Sequence, residues 1–378
     1  MKLATTTLIF CVTALLSLGM VMLYSSSMAD PKTHYLQMQF IWCSAGLAGC
    51  GVAAGMDYRV LKKLAWPLFA LAVVLLGAVL MPHIGHRVNG ARRWFQLGGT
   101  KILVQPSELG KIALIIALAW YGERYQRQMT TWKKGILVPC AFIGLMLGLI
   151  FVEPDRGTTL LMAGVTGMML LVAGVRWKFA VPPVILGLVG LGISLLHDPM
   201  RTKRIFAWLY LEDYKTGIGY QAYQARLALG TGGWTGLGLG NSREKLGFLP
   251  EHNTDFIFSI IGEELGVVAT LLVVVAFVVL VVCGIYIAYR ASDSFGLLLG
   301  AGVTFLIGLQ AFINIGVVTS ALPNKGLPLP FISYGGSNLV VMLTAVGLLL
   351  SIARRARVAP ASAGAALEPG GNLSPQAS

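Results

Sequence analysis

The stretch "LGVVATLLVVVAFVVLVVCGIYIAY", residues 265–289, decides the fold. It carries no charge, and a bilayer core is crossed by ~20 apolar residues of helix. A membrane β-barrel would instead show short segments of alternating polarity. The whole chain agrees: of 378 residues, 56% are hydrophobic and only 12% charged, and the mean hydropathy is +0.74. Such a composition excludes a soluble globular protein. Ten apolar segments can be counted, roughly 4–27, 36–56, 61–81, 105–121, 135–152, 158–175, 178–196, 255–289, 294–321 and 328–353. The first follows Lys2 and is too long for the core of a signal peptide, so it reads as a retained anchor.

The predicted architecture is an all-α polytopic membrane protein with about ten transmembrane helices. It forms one domain over 1–357, with a large extracytoplasmic loop, 197–254, between spans seven and eight. The tail 358–378, "APASAGAALEPGGNLSPQAS" from residue 359, is small, polar and Pro/Gly-rich, and reads as disordered. The five cysteines all lie in apolar segments without a CxxC, so they read as free thiols rather than disulfides or metal ligands.

Charge sets the orientation. With the N-terminus inside, the short inner loops carry fourteen Lys and Arg and the short outer loops seven, a bias that places both termini in the cytoplasm. Four of the seven outer charges, Arg87, Arg92, Arg93 and Lys101, share the loop 82–104, and long loop 197–254 adds Arg204, Arg243, Lys245 and others. All five histidines fall on the same side, Lys32 and Lys325 with them. The outer face is therefore basic and rich in turn residues, and chemistry is expected there.

Several side chains stand out on that face. Asp255 opens span eight in "LPEHNTDFIFSIIGEE", 249–264. It reads either as a helix-start carboxylate, with Thr254 or Asp255 as cap, or as a general base whose pKa is pushed up by the apolar walls of Phe256 and Phe258. Glu263 and Glu264 follow inside the span and point to different sides of a regular helix. A polar knot tying helices together is the favoured reading for this pair. Glu108 and Lys111 in "QPSELGK" are spaced to pair at the start of span four. Glu153 and Asp155 in "EPDRGTT" make a tight turn between spans five and six, with a structural and a functional role evenly balanced. Arginines beside Trp94 suit phosphate. The Gly-rich run 219–240 lacks the GK[ST] of a P-loop and reads as a re-entrant or tightly folded loop. The Pro-rich "PNKGLPLPFISYGGS", 323–337, makes a rigid, broken entry to span ten that carries Lys325 and Ser333. Asn314 reads as an interhelical hydrogen-bonder.

Five of these pieces stand in one order: "NGARRWFQLG", "VQPSELGK", "EPDRGTTL", "YQARLALGTGGWTGLGLGNSREKLGFLPEHNTDFIFSIIGEELG" and "ALPNKGLPLPFISYGGSN", spanning 89–338, with "MVMLYSSS" at 20–27 before them. Together they resemble the SEDS family (shape, elongation, division and sporulation), and the division branch more than the elongation branch. Two departures are "HNTDFIF", where the family commonly reads HTDFIF after a small residue, and Asn338, where a second serine is usual. The resemblance implies a peptidoglycan glycosyltransferase that polymerises lipid II into β-1,4 glycan strands at the outer face of the bacterial cytoplasmic membrane, at the septum. It implies a class B penicillin-binding protein and other divisome proteins as partners, with the membrane itself and no nucleic acid. Asp255 falls on the family's essential aspartate.

The mechanism expected from this is a single inverting displacement with Asp255 as base. Lys245, Arg92, Arg93 and Arg204 are the candidates to hold the leaving diphosphate, with Arg243 secondary. Glu108, Lys111, Glu153, Asp155 and Ser333 are assigned to the substrate-binding surface, and Glu263, Glu264, Asn314 and Lys325 to structure and coupling. No residue cluster demands a metal or other cofactor, although Mg or Mn could share the charge. The competing readings are a lipid II flippase, an elongation-type polymerase and a non-catalytic scaffold.

Overall fold

The computed structural model describes residues 1–27, 35–82, 84–88, 91–96, 103–196 and 199–356. The tail 358–378 and the side chains of Lys32, His34, His83, Lys101 and His197, all invoked above, lie outside the described residues. Twelve α-helices are present among them: α1 (Lys2–Ser27), α2 (Tyr35–Gly55), α3 (Val60–Leu80), α4 (Pro106–Arg124), α5 (Val138–Val152), α6 (Arg156–Val172), α7 (Trp177–Leu196), α8 (Pro199–Leu209), α9 (Tyr220–Thr231), α10 (Ile257–Tyr289), α11 (Ser294–Val318) and α12 (Gly336–Ala356). A π-helical turn, Lys133–Leu137, leads directly into α5. Each expected span falls on one of these helices. Among the described residues, seven helical stretches are long and apolar enough to cross a bilayer: α1, α2, α3, 133–152, α10, α11 and α12.

The structure departs from the sequence reading at four places. Within 82–104, where an all-α fold predicts no strand, β1 (His86–Val88), β2 (Ala91–Gln96) and β3 (Leu103–Val104) form an antiparallel sheet in the order β1-β2-β3. The loop 197–254 contains α8, α9 and a 3-10 turn, Glu244–Leu246. The final helix begins at Gly336 rather than 328, because the prolines of 323–330 leave the chain extended before it. And α10 begins at Ile257, its N-cap position is Phe256, and no side chain caps it. Neither Thr254 nor Asp255 is a cap.

α11 and α12 are the most enclosed of the apolar helices, and α4 packs between α3, α11 and α6. Small residues permit the closest approaches: a Cβ added to Gly347 of α12 would stand 2.4 Å from the Cys50 carbonyl oxygen of α2. The five cysteines are unpaired thiols.

α10 is interrupted. Gly266 has φ 76° and ψ −176°, a backbone region that essentially only glycine enters. The helical bonds lost there are replaced by the Gly-rich segment from the preceding loop. Val267 N donates to Gly233 O at 2.9 Å, while Leu237 N and Gly238 N donate to Glu263 O and Glu264 O, each at 2.9 Å. The broken helix thus leaves these backbone groups satisfied, as a low-dielectric setting requires.

At the end of the bundle opposite Asp255, a second polar layer ties α3, α4 and α11 together. Asp293 accepts from Gly296 N (2.9 Å) and thereby caps α11. It also accepts from the Tyr58 hydroxyl (2.8 Å) and Lys62 Nζ (2.9 Å), and Lys62 reaches Glu123 at 2.7 Å.

Candidate active site

Asp255 lies in the turn just before α10, and the segment 253–255 is strapped to the loop between α11 and α12. Tyr334 N donates to Asn253 O (2.9 Å), and the Ser333 hydroxyl donates to Thr254 O (2.5 Å) while accepting from Leu329 N (2.8 Å). From α11, Asn314 Nδ2 donates to both Asp255 O (2.8 Å) and Leu327 O (2.6 Å). On the other flank, the Ser26 hydroxyl at the end of α1 donates to the Asn253 side chain. Asn253 stands where the sequence departs from the HTDFIF pattern, and its side chain is what joins the turn to α1. Ser333 and Asn314 therefore act on backbone, fixing where Asp255 sits.

The Asp255 carboxyl itself receives no hydrogen bond from any described residue. Its Oδ2 lies against Gly326, where an added Cβ would come within 2.5 Å. Burial, then the negative charges of Glu251 and Asp155, push its pKa up to about 7. A carboxyl poised there exchanges a proton readily at neutral pH.

The turn between α5 and α6 approaches from the side, with Gly157 facing Gly326 O and Leu327. Asp155 caps α6, accepting from Thr158 N (3.0 Å) and Thr158 Oγ1 (2.9 Å), and also from Gln105 Nε2 (3.1 Å). Glu153 is fully buried, with no hydrogen-bond partner for either carboxyl oxygen among the described residues. Burial and then Asp155 push its pKa up to about 8, against the opposing charge of Arg93. Arg93 projects from β2 and donates to Glu153 O (2.8 Å) and Pro154 O (2.7 Å). Two of its five donors thus bind backbone carbonyls and hold the turn.

Lys245 and the pair Glu108–Lys111 are corrected on geometry. Lys245 is 4% exposed. Its ammonium donates to Glu264 Oε1 (2.8 Å), Ser25 Oγ (3.0 Å) and Ser25 O (3.3 Å), which uses its three donors. Ser25 Oγ in turn donates to Glu264 (2.7 Å). Beside it, Glu263 accepts from the Ser242 hydroxyl (2.5 Å) and Arg243 N (2.9 Å). The two glutamates are the anchor for segment 242–245. Glu108 and Lys111 form an interior ion pair (2.7 Å) extended by Asn338 Nδ2 to Glu108 (3.0 Å) and by Lys111 Nζ to Gln310 (3.2 Å). This knot fastens α4 to α11 and α12, and Asn338, the second departure, completes it.

The remaining basic candidates are dispersed. Arg92 is half-buried on β2, opposite Arg87 of β1. Arg204 is exposed on α8 and lines a shallow cleft with Trp208, Ser320 and Asn324. The exposed side chain of Arg243 neighbours the anchor. Lys325 immediately precedes Gly326 at the rim, and burial followed by the charge of Arg156 lowers its pKa. Arg156, whose guanidinium lies 4.7 Å from the Phe151 ring centre, is the cation that sequence reasoning did not single out, although the quoted turn "EPDRGTT" contains it. No group of three or more His, Cys, Asp or Glu side chains among the described residues could hold a metal ion.

Comparison with known proteins identifies relatives of the chain. A family model covering FtsW, RodA and SpoVE, described as cell cycle protein, matches residues 5–358. A Trichlorobacter lovleyi protein named probable peptidoglycan glycosyltransferase FtsW is 40% identical over 359 residues, 93% of this chain and 94% of that one. Stage V sporulation protein E of Bacillus subtilis is 37% identical over 91% of this chain and 95% of its own. Among solved structures, a chain from a study of polymerization and crosslinking by a peptidoglycan synthase complex superposes with TM-score 0.78 at 27% identity, covering 92% of this chain and 97% of that chain. The rod shape determining protein RodA of Thermus thermophilus superposes with TM-score 0.67 at 27% identity, covering 92% and 95%.

Proposed function

The chain belongs to the FtsW/RodA/SpoVE family, and on that premise we propose that it is a multi-pass membrane peptidoglycan glycosyltransferase of the FtsW type, joining lipid II units into β-1,4 glycan strands. The observation that carries the chemistry is the Asp255 carboxyl: at the bundle rim, without a hydrogen-bond donor among the described residues, and with a pKa near 7. A base is required because the acceptor's 4-hydroxyl is a poor nucleophile. Asp255 takes that proton as the oxygen attacks the donor's anomeric carbon, and the α-linked lipid diphosphate departs with inversion. One carboxylate suffices for a single displacement, since the leaving group arrives activated. The positive charge of Arg156 and Lys325, which flank Gly157 and Gly326 at the rim, supports stabilisation of the departing diphosphate. Arg92 and Arg204 add basic charge further out.

The charge asymmetry of the loops supports a topology with both termini in the cytoplasm and the Asp255 rim outside. The partner in this reading is a class B penicillin-binding protein within the division machinery, acting at the septum.

The deciding experiment incubates the purified protein, with and without its transpeptidase partner, with labelled lipid II in liposomes. Glycan polymer that disappears in Asp255→Asn is the expected result. Leaflet exchange of lipid II without polymer would replace this reading by a flippase, and neither activity by a scaffold.

A further inference from the structure

The segment immediately before the active-site turn, 232–248, sorts its side chains the wrong way for a loop in water. Three of its polar residues, Ser242, Glu244 and Lys245, are buried and Thr235, Asn241 and Arg243 are exposed, while the large apolar Trp234, Leu237, Leu239, Leu246 and Phe248 are all exposed, Trp234 at 75%. Soluble surfaces do not gather large apolar side chains while hiding charged ones.

The segment's depth explains the inversion. Its backbone is bonded to Glu263, Glu264, Val267 and Val268 of α10. Glu263 and Glu264, before the break at Gly266, lie roughly 9–11 Å along the axis from Ile257, at ~1.5 Å rise per residue. α10 is apolar enough to cross a bilayer. Next to the bonded segment its exposed residues Val268, Leu271, Leu272 and Val275 continue the apolar surface that Trp234 begins.

We propose that 232–248 is a re-entrant wedge embedded in the acyl-chain layer of the leaflet on the Asp255 side, with Trp234 and Leu239 in direct contact with lipid tails. Acyl chains are the occupant that fits, because the exposed side chains project from a glycine-rich strap bonded to a helix apolar enough to cross a bilayer. They are also continuous with the lipid-facing stripe of a spanning helix. The buried ion pair of Lys245 and Glu264 beneath the strap is the inward face of the same wedge. The bilayer is thereby a binding partner of the segment that ends at the catalytic turn.

Nitroxide labels test this. The cysteines Trp234→Cys and Leu239→Cys, with Lys215→Cys as an exposed loop control, are placed in a background lacking the five native cysteines. They are labelled and reconstituted in phosphatidylethanolamine/phosphatidylglycerol vesicles. Labels at 234 and 239 should collide preferentially with oxygen, and the label at 215 with a water-soluble nickel chelate. Collision profiles at 234 and 239 matching the control overturn the wedge, as does shielding from both reagents, which is what a protein cover would give. Should the cysteine variants misfold, the native indole serves instead: dibrominated acyl chains should quench more fluorescence in the unmodified protein than in Trp234→Phe, and equal quenching overturns the proposal.

Discussion

Two aspartates each stand just ahead of a long helix, Asp255 before α10 and Asp293 before α11, at opposite ends of the bundle. Asp293 is enclosed by donors: Gly296 N, the Tyr58 hydroxyl and Lys62. Burial alone would raise its pKa, but these hydrogen bonds outweigh burial and hold it below the ordinary carboxylate range. Asp255 caps nothing, and its pKa rises to about 7. The same residue type, in nearly the same local position, is committed to stability at one end and left available for chemistry at the other. What separates them is the supply of donors, and that depends on residues distant in the chain.

The contrast is broken most forcefully at Asp255. Asp255→Ala should lower polymerisation by about 10²–10⁴-fold, the usual worth of a general base, with an unchanged elution profile in detergent. Activity of the unmodified protein should rise with pH through about 7, as the base form accumulates. A variant that keeps normal glycan synthesis would remove the assignment. Next in size is the buried anchor. Lys245→Ala strands Glu264 in the interior and should cost about 3–5 kcal/mol of stability, whereas the paired change Lys245→Met with Glu264→Gln should cost much less. Thermal unfolding of the three proteins checks this, and equal losses would mean that the pair is not a unit.

Asp293→Ala should cost about 1–2 kcal/mol, the scale of a lost cap and half-exposed ion pairs, and leave the specific activity of the folded fraction intact. The smallest effect is a difference of sign. Folded Asp255 retains a proton that the unfolded chain releases above its ordinary pKa of ~3.9. It therefore costs stability as pH rises from that range through about 7. Asp255→Asn should accordingly raise the melting temperature relative to the unmodified protein at pH 8 and not at pH 4. Asp293 contributes stability above the ordinary carboxylate range and loses it as pH falls through its lowered pKa, so Asp293→Asn should be most harmful at neutral pH and least at acid pH. Parallel pH profiles for the two variants would erase the distinction.

The helices of the apolar segments were legible because ~20 apolar residues have few alternatives, although only seven stretches among the described residues are long and apolar enough to cross a bilayer. The position of Asp255 at the start of α10 was legible because its flanks mark a turn. What was not legible depends on long-range contact. A lysine in a basic loop looks accessible, yet Lys245 finds Ser25 and Glu264 in other elements. Arg93 reads as a basic loop residue, and its bonds to the carbonyls of Glu153 and Pro154 join segments some sixty residues apart. The break at Gly266 hides inside an apolar run, since hydropathy does not register a change of φ. The small sheet escapes because its strands are too short to show an alternating pattern. The polar knot at Glu263 and Glu264 was legible, but its partners were not.

The anchor beneath the wedge also bears on how the protein is made. Ser25, Ser242, Arg243 and Lys245, the groups that receive the two glutamates, all precede Glu263 in the chain. When the translocon releases α10, every partner its acids need has already been synthesised, and no later segment is required to neutralise them. Vectorial synthesis thereby lets α10 enter the bilayer with the partners of its two acids already made.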